Sequence, residues 1–155
     1  MMQLAQPRIE VSISSQRLSL WDGERLVRSW PVSTSKYGIG FKEGSLKTPV
    51  GGFVVKEKHG DGAEEGTIFK ARQPVGVWRP GMDVEEDLVL TRILRLDGIE
   101  GRNANTFDRY VYIHGTNGED RIGRPASHGC VRLRNREMVE LFEMVPVGTS
   151  VWIEA

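Results

Sequence analysis

The sequence predicts a mainly β protein, built as a sandwich or an open barrel, with a single helix near its C-terminal end. Apolar residues mostly alternate with polar ones, which is the period of a strand with one buried face. Glycine and proline interrupt this alternation at short intervals, as they do between the strands of all-β folds. One stretch, residues 135–145, instead carries apolar residues at helical spacing.

Length and composition narrow the class of protein further. The 155 residues suit one domain. The 21 basic and 21 acidic residues balance, whereas a nucleic-acid binder normally carries a basic excess. The single cysteine excludes an intrachain disulfide. The glycine-punctuated sequence, 39% apolar, leaves no run long enough for a transmembrane helix.

The N-terminal third predicts strands joined by tight turns. Alternation over residues 9–13 predicts the first strand, and it resumes in the opposite phase after Ser14-Ser15, which indicates a bulge or a strand break. Asp22-Gly23 predicts a hairpin turn, with the return strand over residues 26–32. A short strand is predicted at 53–55.

The middle of the chain alternates between loops and strands. Residues 57–66 and 74–87 are rich in Gly, Pro, Asp and Glu and are predicted to be loops. Residues 88–96 are apolar on nearly both faces, which is typical of an interior strand. Further strands are predicted at 110–113 and 151–153.

The only convincing helix is predicted over residues 135–145. Asn135 is a suitable N-cap, and Pro146 ends the helix. Between them the apolar residues form one stripe. They are Met138, Val139, Leu141, Phe142 and Val145.

His114, His128 and Cys130 are the candidates for chemistry. His114 ends a predicted strand, and Cys130 follows sixteen residues later, directly after Ser127-His128-Gly129. A thiol attacks carbonyls as the thiolate, so a catalytic cysteine needs a base or a cation beside it. We favour His114 as the base, because a histidine on a neighbouring strand approaches the sulfur more freely than His128.

The neighbouring backbone suits the same chemistry. The Gly115 carbonyl is placed to accept a hydrogen bond from the second ring nitrogen of His114 and fix its tautomer. Gly129 permits a turn that aims the amides of Gly129 and Cys130 at a developing oxyanion. Alternation along an extended chain predicts two groups of side chains that share a face. They are Tyr110, Tyr112 and His114 in one group, and Cys130 and Arg132 in the other.

Less specific explanations exist for each of these residues. A lone cysteine is most often a buried apolar side chain, and a histidine at a strand end is often structural. Two histidines and a cysteine are also zinc ligands, although this spacing matches no standard motif. Trp78, Tyr110 and Tyr112 form either a wall for a substrate or part of the core. The joint occurrence of His-Gly and Ser-His-Gly-Cys favours catalysis.

The pattern His-Gly, a loop, then SHGCVRL resembles the signature of the L,D-transpeptidase catalytic domain, the YkuD family. IEVSISSQRLSLWDGERLVRSWPVSTS resembles the first hairpin of that family, and KTPVGGF resembles its Thr-Pro-x-Gly-x-Phe turn. The resemblance covers about residues 8–154, which we take as the catalytic domain, with 1–7 as a short N-terminal extension. It implies an L,D-transpeptidase-like β-sandwich or open barrel, without a metal or other cofactor.

The resemblance also implies a reaction. In such enzymes the cysteine attacks the bond between the diamino acid and the terminal D-Ala of a peptidoglycan tetrapeptide stem. D-Ala leaves, and an amine of a second stem takes the acyl group. Cys130 matches the nucleophile, His114 the general base, and Gly115 the carbonyl that orients it. The residues expected to line the pocket, supply oxyanion amides or contact the substrate are Ser127, His128, Gly129, Arg132 and Tyr112.

Several alternatives share this site. Hydrolysis of the same acyl-enzyme makes an L,D-carboxypeptidase. A papain-like or cell-wall endopeptidase places Cys before His, the reverse of the order here, and a non-catalytic wall-binding module has no need of either residue. Peptidoglycan stems and carbapenem-type β-lactams are the expected partners, with no nucleic acid. The substrate implies the periplasm or cell envelope, whereas the N-terminus shows no signal-peptide pattern, so a cytoplasmic location stays open.

Overall fold

The computed structural model describes residues 4–155 as a curled, mainly β half-barrel with one α-helix. The predicted fold class is therefore confirmed. The elements in chain order are β1 (Pro7–Ser12), β2 (Arg17–Asp22), β3 (Arg25–Pro31), β4 (Gly51–His59), β5 (Thr67–Lys70), β6 (Gln73–Val77), β7 (Val89–Gly98), β8 (Tyr112–Gly115), β9 (Val131–Leu133), α1 (Asn135–Met144) and β10 (Ser150–Glu154). Short 3₁₀ turns lie at Gly101–Asn103 and Glu119–Arg121.

The ten strands form one sheet in the order β3-β2-β1-β10-β4-β7-β5-β6, and β8 and β9 branch from β7. β10 runs parallel to β1, and β9 runs parallel to β8. The other strand pairs are antiparallel. The branch carries residues 112–115 and 131–133 away from the main path of the sheet, and this is where the candidate catalytic residues lie.

In the first two strands, the predicted alternation of apolar and polar residues matches the observed pattern of burial. Ile9 and Val11 of β1 and Leu18 and Leu20 of β2 are buried in the main core. The change of phase at Ser14-Ser15 is a strand break, because residues 13–16 form the turn between β1 and β2. The hairpin predicted at Asp22-Gly23 is also present.

Helix α1 closes one side of the core. Met138, Leu141 and Phe142 are buried there among the apolar side chains of the sheet. The Nζ of Lys58 donates hydrogen bonds to the carbonyls of Phe142 (2.7 Å) and Val145 (2.6 Å), which satisfies acceptors that a helix end leaves free. Within residues 4–155, no helix combines the length and apolar character that crossing a bilayer requires.

The role predicted for Asn135 is wrong. The N-cap position belongs to Arg134, and Asn135 is the first helical residue. Its side chain is buried, where its amide nitrogen donates to the Thr116 carbonyl (2.8 Å) and its oxygen accepts from the Thr91 hydroxyl (2.6 Å). The Glu119 carboxylate accepts from the Asn135 backbone N–H (2.7 Å), so an acid from a distant turn supplies the cap.

Two other predictions fail in the middle of the chain. The predicted loop 57–66 begins inside a strand, because the strand predicted at 53–55 extends over Gly51–His59, and part of the predicted loop 74–87 is strand β6. β6 is an edge strand with mostly exposed residues, and its sequence QPVGV contains both Pro and Gly. Such a strand carries no alternating burial pattern, so only its pairing with β5 reveals it.

Candidate active site

Strands β8 and β9 bring the candidate residues together. They pair in parallel, with His114 opposite Arg132 and Ile113 opposite Val131. Paired residues of parallel strands, and residues two apart along a strand, point to the same face. Cys130 directly precedes β9, and the Tyr112 backbone N–H donates to its sulfur at 3.3 Å. Cys130 is therefore level with Tyr112, two residues before His114 on the neighbouring strand.

The Cys130 thiol sits between apolar and polar surroundings. It packs against the cluster that contains Phe69, Ile93 and Tyr112, and its sulfur lies 3.6 Å from the Tyr110 carbonyl oxygen. Burial raises the pKa of the thiol to about 11, although the Tyr112 N–H favours the thiolate. The resting group at neutral pH is thus a thiol, which needs a base to react.

His114 has the tautomer that such a base requires. The buried ring contacts the Gly115 carbonyl oxygen through Nδ1. A carbonyl only accepts, so Nδ1 carries the proton and Nε2 is left as an acceptor. Burial lowers the pKa of the imidazole, against the opposing effect of the Asp87 carboxylate. The ring is therefore neutral at neutral pH and able to take a proton.

The turn before Cys130 is held by hydroxyl groups. Ser127 Oγ donates to the Cys130 carbonyl (2.7 Å), and Thr48 Oγ1 donates to the Gly129 carbonyl (3.0 Å). Gly129 has φ +121°, a conformation that favours glycine. Its N–H donates to Ser127 Oγ at 3.3 Å. The Gly129 N–H, one of the two amides expected from the sequence as oxyanion donors, thus donates within the turn.

The Arg132 side chain, expected near the substrate, is almost fully enclosed at the wall of a cavity that Asp87 and His128 also line. Its side chain is 3% exposed. Nη1 donates to Asp87 Oδ1 (2.8 Å), and Nη2 donates to Ser33 Oγ (3.0 Å). His128 is exposed, and its Nδ1 lies 3.0 Å from Asp87 Oδ2. Asp87 therefore contacts both residues.

The sequence left Tyr110 and Tyr112 either at a substrate wall or in the core, and the two tyrosines differ in burial. Tyr112 is buried, and its hydroxyl accepts a hydrogen bond from Arg72 at 3.1 Å. Tyr110 is 52% exposed and lies outside β8 with φ +56°, so the predicted strand begins two residues later. Tyr112 thus shares a strand face with His114, as the sequence predicted, whereas Tyr110 lies outside the strand.

A groove of about 140 Å³ opens beside the thiol. Arg109 forms part of its wall and donates from Nη2 to the Lys47 carbonyl (2.8 Å) and from Nη1 to the Gly40 carbonyl (3.3 Å). These bonds tie Arg109 to the segment 40–47, part of which lines the groove. The lining residues are Glu43, Gly44, Leu46, Asp108, Arg109, Tyr110, Val111, His128, Gly129 and Cys130.

The zinc alternative finds no cluster of ligands to support it. Among residues 4–155, no three His, Cys, Asp or Glu side chains converge as a metal site. The third histidine, His59, lies on β4, where its Nε2 is 3.0 Å from Glu57 Oε1.

A family model described as the L,D-transpeptidase catalytic domain, YkuD, matches residues 6–153. The chain belongs to this family. The L,D-transpeptidase YkuD of Bacillus licheniformis is 31% identical over 147 residues, which cover 94% of this chain and 64% of that protein. The L,D-transpeptidase YbiS of Escherichia coli is 53% identical over 55 residues, which cover 36% of this chain and 18% of that protein. The chain therefore spans less than two thirds of these relatives.

Solved L,D-transpeptidases share the fold. One from Xylanimonas cellulosilytica superposes with a TM-score of 0.63 at 21% identity, covering 99% of this chain and 63% of that one. L,D-transpeptidase 3 from Mycobacterium tuberculosis, solved with a faropenem-derived adduct, gives a TM-score of 0.61 at 18% identity, covering 96% and 61%. At this identity the likeness shows the fold alone.

Three polar residues of this L,D-transpeptidase domain contact the site without having been predicted from the sequence. They are Thr48, Asp87 and Arg109. Asp87 ends the acidic run Glu85-Glu86-Asp87 of a predicted loop, which is indistinguishable in sequence from a solvated surface. Thr48 does lie in the KTPVGGF segment that resembles the family, which was the one available signal.

Proposed function

We propose that this chain is a cysteine-dependent L,D-transpeptidase that acts on peptidoglycan stem peptides. The main support is the pairing of β8 with β9, which puts His114, whose Nε2 is left as an acceptor, on the strand next to the one that Cys130 directly precedes. Cys130 is the nucleophile and His114 the general base. Action on this substrate places the working protein at the cell envelope.

The reaction follows from the protonation states of the two groups. Nε2 of His114 takes the proton from Cys130 Sγ as the sulfur attacks the diamino-acid carbonyl of a tetrapeptide stem. The C–N bond to D-Ala breaks, and the imidazolium returns its proton to the leaving amine. An amine of a second stem then attacks the thioester and gives a proton to His114, the C–S bond breaks, and the imidazolium returns the proton to Cys130 Sγ.

The backbone around Cys130 supplies the electrostatic part of the proposal. The hydroxyls of Ser127 and Thr48 hold the carbonyls of Cys130 and Gly129, respectively, so the turn is rigid before substrate binds. Because the Gly129 N–H donates to Ser127 Oγ, the Cys130 N–H is the stronger candidate as an oxyanion donor. A preorganised donor of this kind lowers the barrier without reorganising during the reaction.

The groove beside the thiol suits a stem peptide. Its wall combines Glu43 and Asp108 with Arg109, and stem peptides carry both carboxylates and amines. Complementary charges of both signs select a partner and fix its orientation more than they add affinity.

The function is tested by incubating the protein with disaccharide-tetrapeptide muropeptides and analysing the products by mass spectrometry. We expect cross-linked dimers together with free D-Ala, and neither product with Cys130→Ala. Tripeptides without dimers would instead identify an L,D-carboxypeptidase. Unchanged tetrapeptide in the presence of folded protein would contradict both activities and favour a non-catalytic wall-binding module.

A carbapenem should acylate the same thiol, because a strained lactam carbonyl reacts with a cysteine that has a base beside it. Intact-mass spectrometry after incubation with imipenem should show one adduct on the wild-type chain. With Cys130→Ala the adduct should be absent, since the sequence contains no other cysteine. A wild-type mass that stays unmodified after long incubation would contradict an activated thiol.

A further inference from the structure

Asp87 occupies a central position among the charged groups of the site. Its Oδ1 accepts from Arg132 Nη1 at 2.8 Å, and its Oδ2 lies 3.0 Å from His128 Nδ1. Burial of Asp87 opposes ionisation, but the charges of His114 and Arg132 and the bonds from His128 and Arg132 hold its pKa below the ordinary value. Asp87 is therefore a carboxylate at neutral pH, although its side chain is only 19% exposed.

A buried cation lies next to the proposed base. Arg132 pairs with His114 across the β8–β9 ladder, and its guanidinium is almost fully enclosed. Arginine stays protonated in proteins, so its charge opposes any positive charge on the neighbouring imidazole. The proposed reaction requires that imidazole to become positive when it accepts the thiol proton. A negative charge is therefore needed to offset the positive charge of Arg132.

We propose that Asp87 is a positioning residue that neutralises Arg132 and thereby allows His114 to carry the proton of Cys130. The inference rests on the proposed function, in which His114 is the base. The bond from Arg132 Nη1 to Asp87 is the direct neutralising contact. The ion pair is held in place by the Ser33 hydroxyl on Arg132 and by His128 on the outer side of Asp87.

The charged groups around the ring support this assignment. Asp87 faces it from the segment before β7 and raises the pKa of His114, whereas Arg132 faces it from β9 and lowers that pKa. The pKa of Cys130, which directly precedes β9, is raised by the charge of Asp87 and lowered by the charges of Arg132 and Arg109. His128 contacts Asp87 from the exposed side. Asp87 is thus the negative group that acts on the proposed base.

The two partners of the ion pair should shift the titration of His114 in opposite directions. With Asp87→Asn the uncompensated guanidinium should lower the pKa of His114 by about 1 or more. With Arg132→Gln the remaining carboxylate should raise it. Asp83→Asn removes the same charge from the exposed part of the same segment and is the matched control, for which we expect no change.

The shifts are measured by NMR titration of the imidazole C–H signals, since the sequence contains three histidines. Thermal unfolding verifies that each variant folds. The rate of imipenem acylation as a function of pH is the second measurement. Its acid limb, where His114 becomes protonated, should move to lower pH in Asp87→Asn and to higher pH in Arg132→Gln. A merely structural role would reduce the maximal rate without moving that limb.

Unshifted His114 titration in both folded variants, or shifts of the same sign, would overturn the role of Asp87. If the NMR shifts occur while imipenem leaves the wild-type mass unchanged, the transpeptidase proposal fails and the electrostatic role of Asp87 stands. The two proposals can therefore fail separately.

Discussion

Replacing His114 by asparagine should slow the acylation of Cys130 by imipenem about 10²–10⁴-fold at neutral pH, the usual contribution of a general base. Asparagine can place its amide nitrogen near the position of ring Nδ1 and keep a donor toward the Gly115 carbonyl, but it has no counterpart of Nε2. The thiol has a pKa of about 11, so little thiolate forms without that base. The rate is measured from the loss of lactam absorbance.

The pH dependence provides a sharper test of the same role. Without a base the reaction depends on solvent to remove the thiol proton, so the rate of His114→Asn should rise about tenfold per pH unit below the thiol pKa of about 11. The matched control is His59→Asn, which removes a histidine that pairs with Glu57 outside the site and should react at the wild-type rate. An equal rate for His114→Asn and wild type at neutral pH would exclude the base.

The sequence correctly predicted the elements of the fold that are determined by residues close together in the chain. Alternation in β1 and β2, the turn at Asp22-Gly23 and the stripe of α1 each depend on residues close in the chain. The exposed edge strand β6 has no such local signal, because its pairing with β5 and not its burial makes it a strand. A pattern of hydrophobicity does not predict strand pairing of this kind.

The contacts of the candidate site also divide into local ones, which the sequence predicts, and long-range ones, which it does not. The Gly115 carbonyl beside His114 is a contact between neighbouring residues, so the sequence was sufficient to predict it. The bond between Asp87 and Arg132 joins residues 45 positions apart, and Thr48 contacts Gly129 across 81 positions. These contacts depend on the path of the sheet. They also explain why the carboxylate partner of Arg132 could not be predicted from the sequence.

Gly115 shows how a contact and a residue type can have different causes. Any residue at this position would offer a carbonyl to His114, so the carbonyl does not account for glycine. The lack of space around residue 115 does account for it. A Cβ built on Gly115 would lie 2.3 Å from Asn135 Oδ1 and 2.8 Å from the Leu90 carbonyl oxygen. The Asn135 side chain has little freedom to move, because it bonds Thr91 and Thr116.

Gly115→Ala should therefore destabilise the domain by about 3 kcal/mol or more, since the new methyl group must displace a bonded amide or separate β7 from β8. For a chain of this size that corresponds to a fall in Tm of about 10 °C, measured by circular dichroism. Gly118→Ala is the matched control, because the nearest atoms to its Cβ would be 3.6 Å away, and its Tm should stay close to wild type. If Gly115→Ala melts with the control, lack of space is not the reason for glycine beside the proposed base.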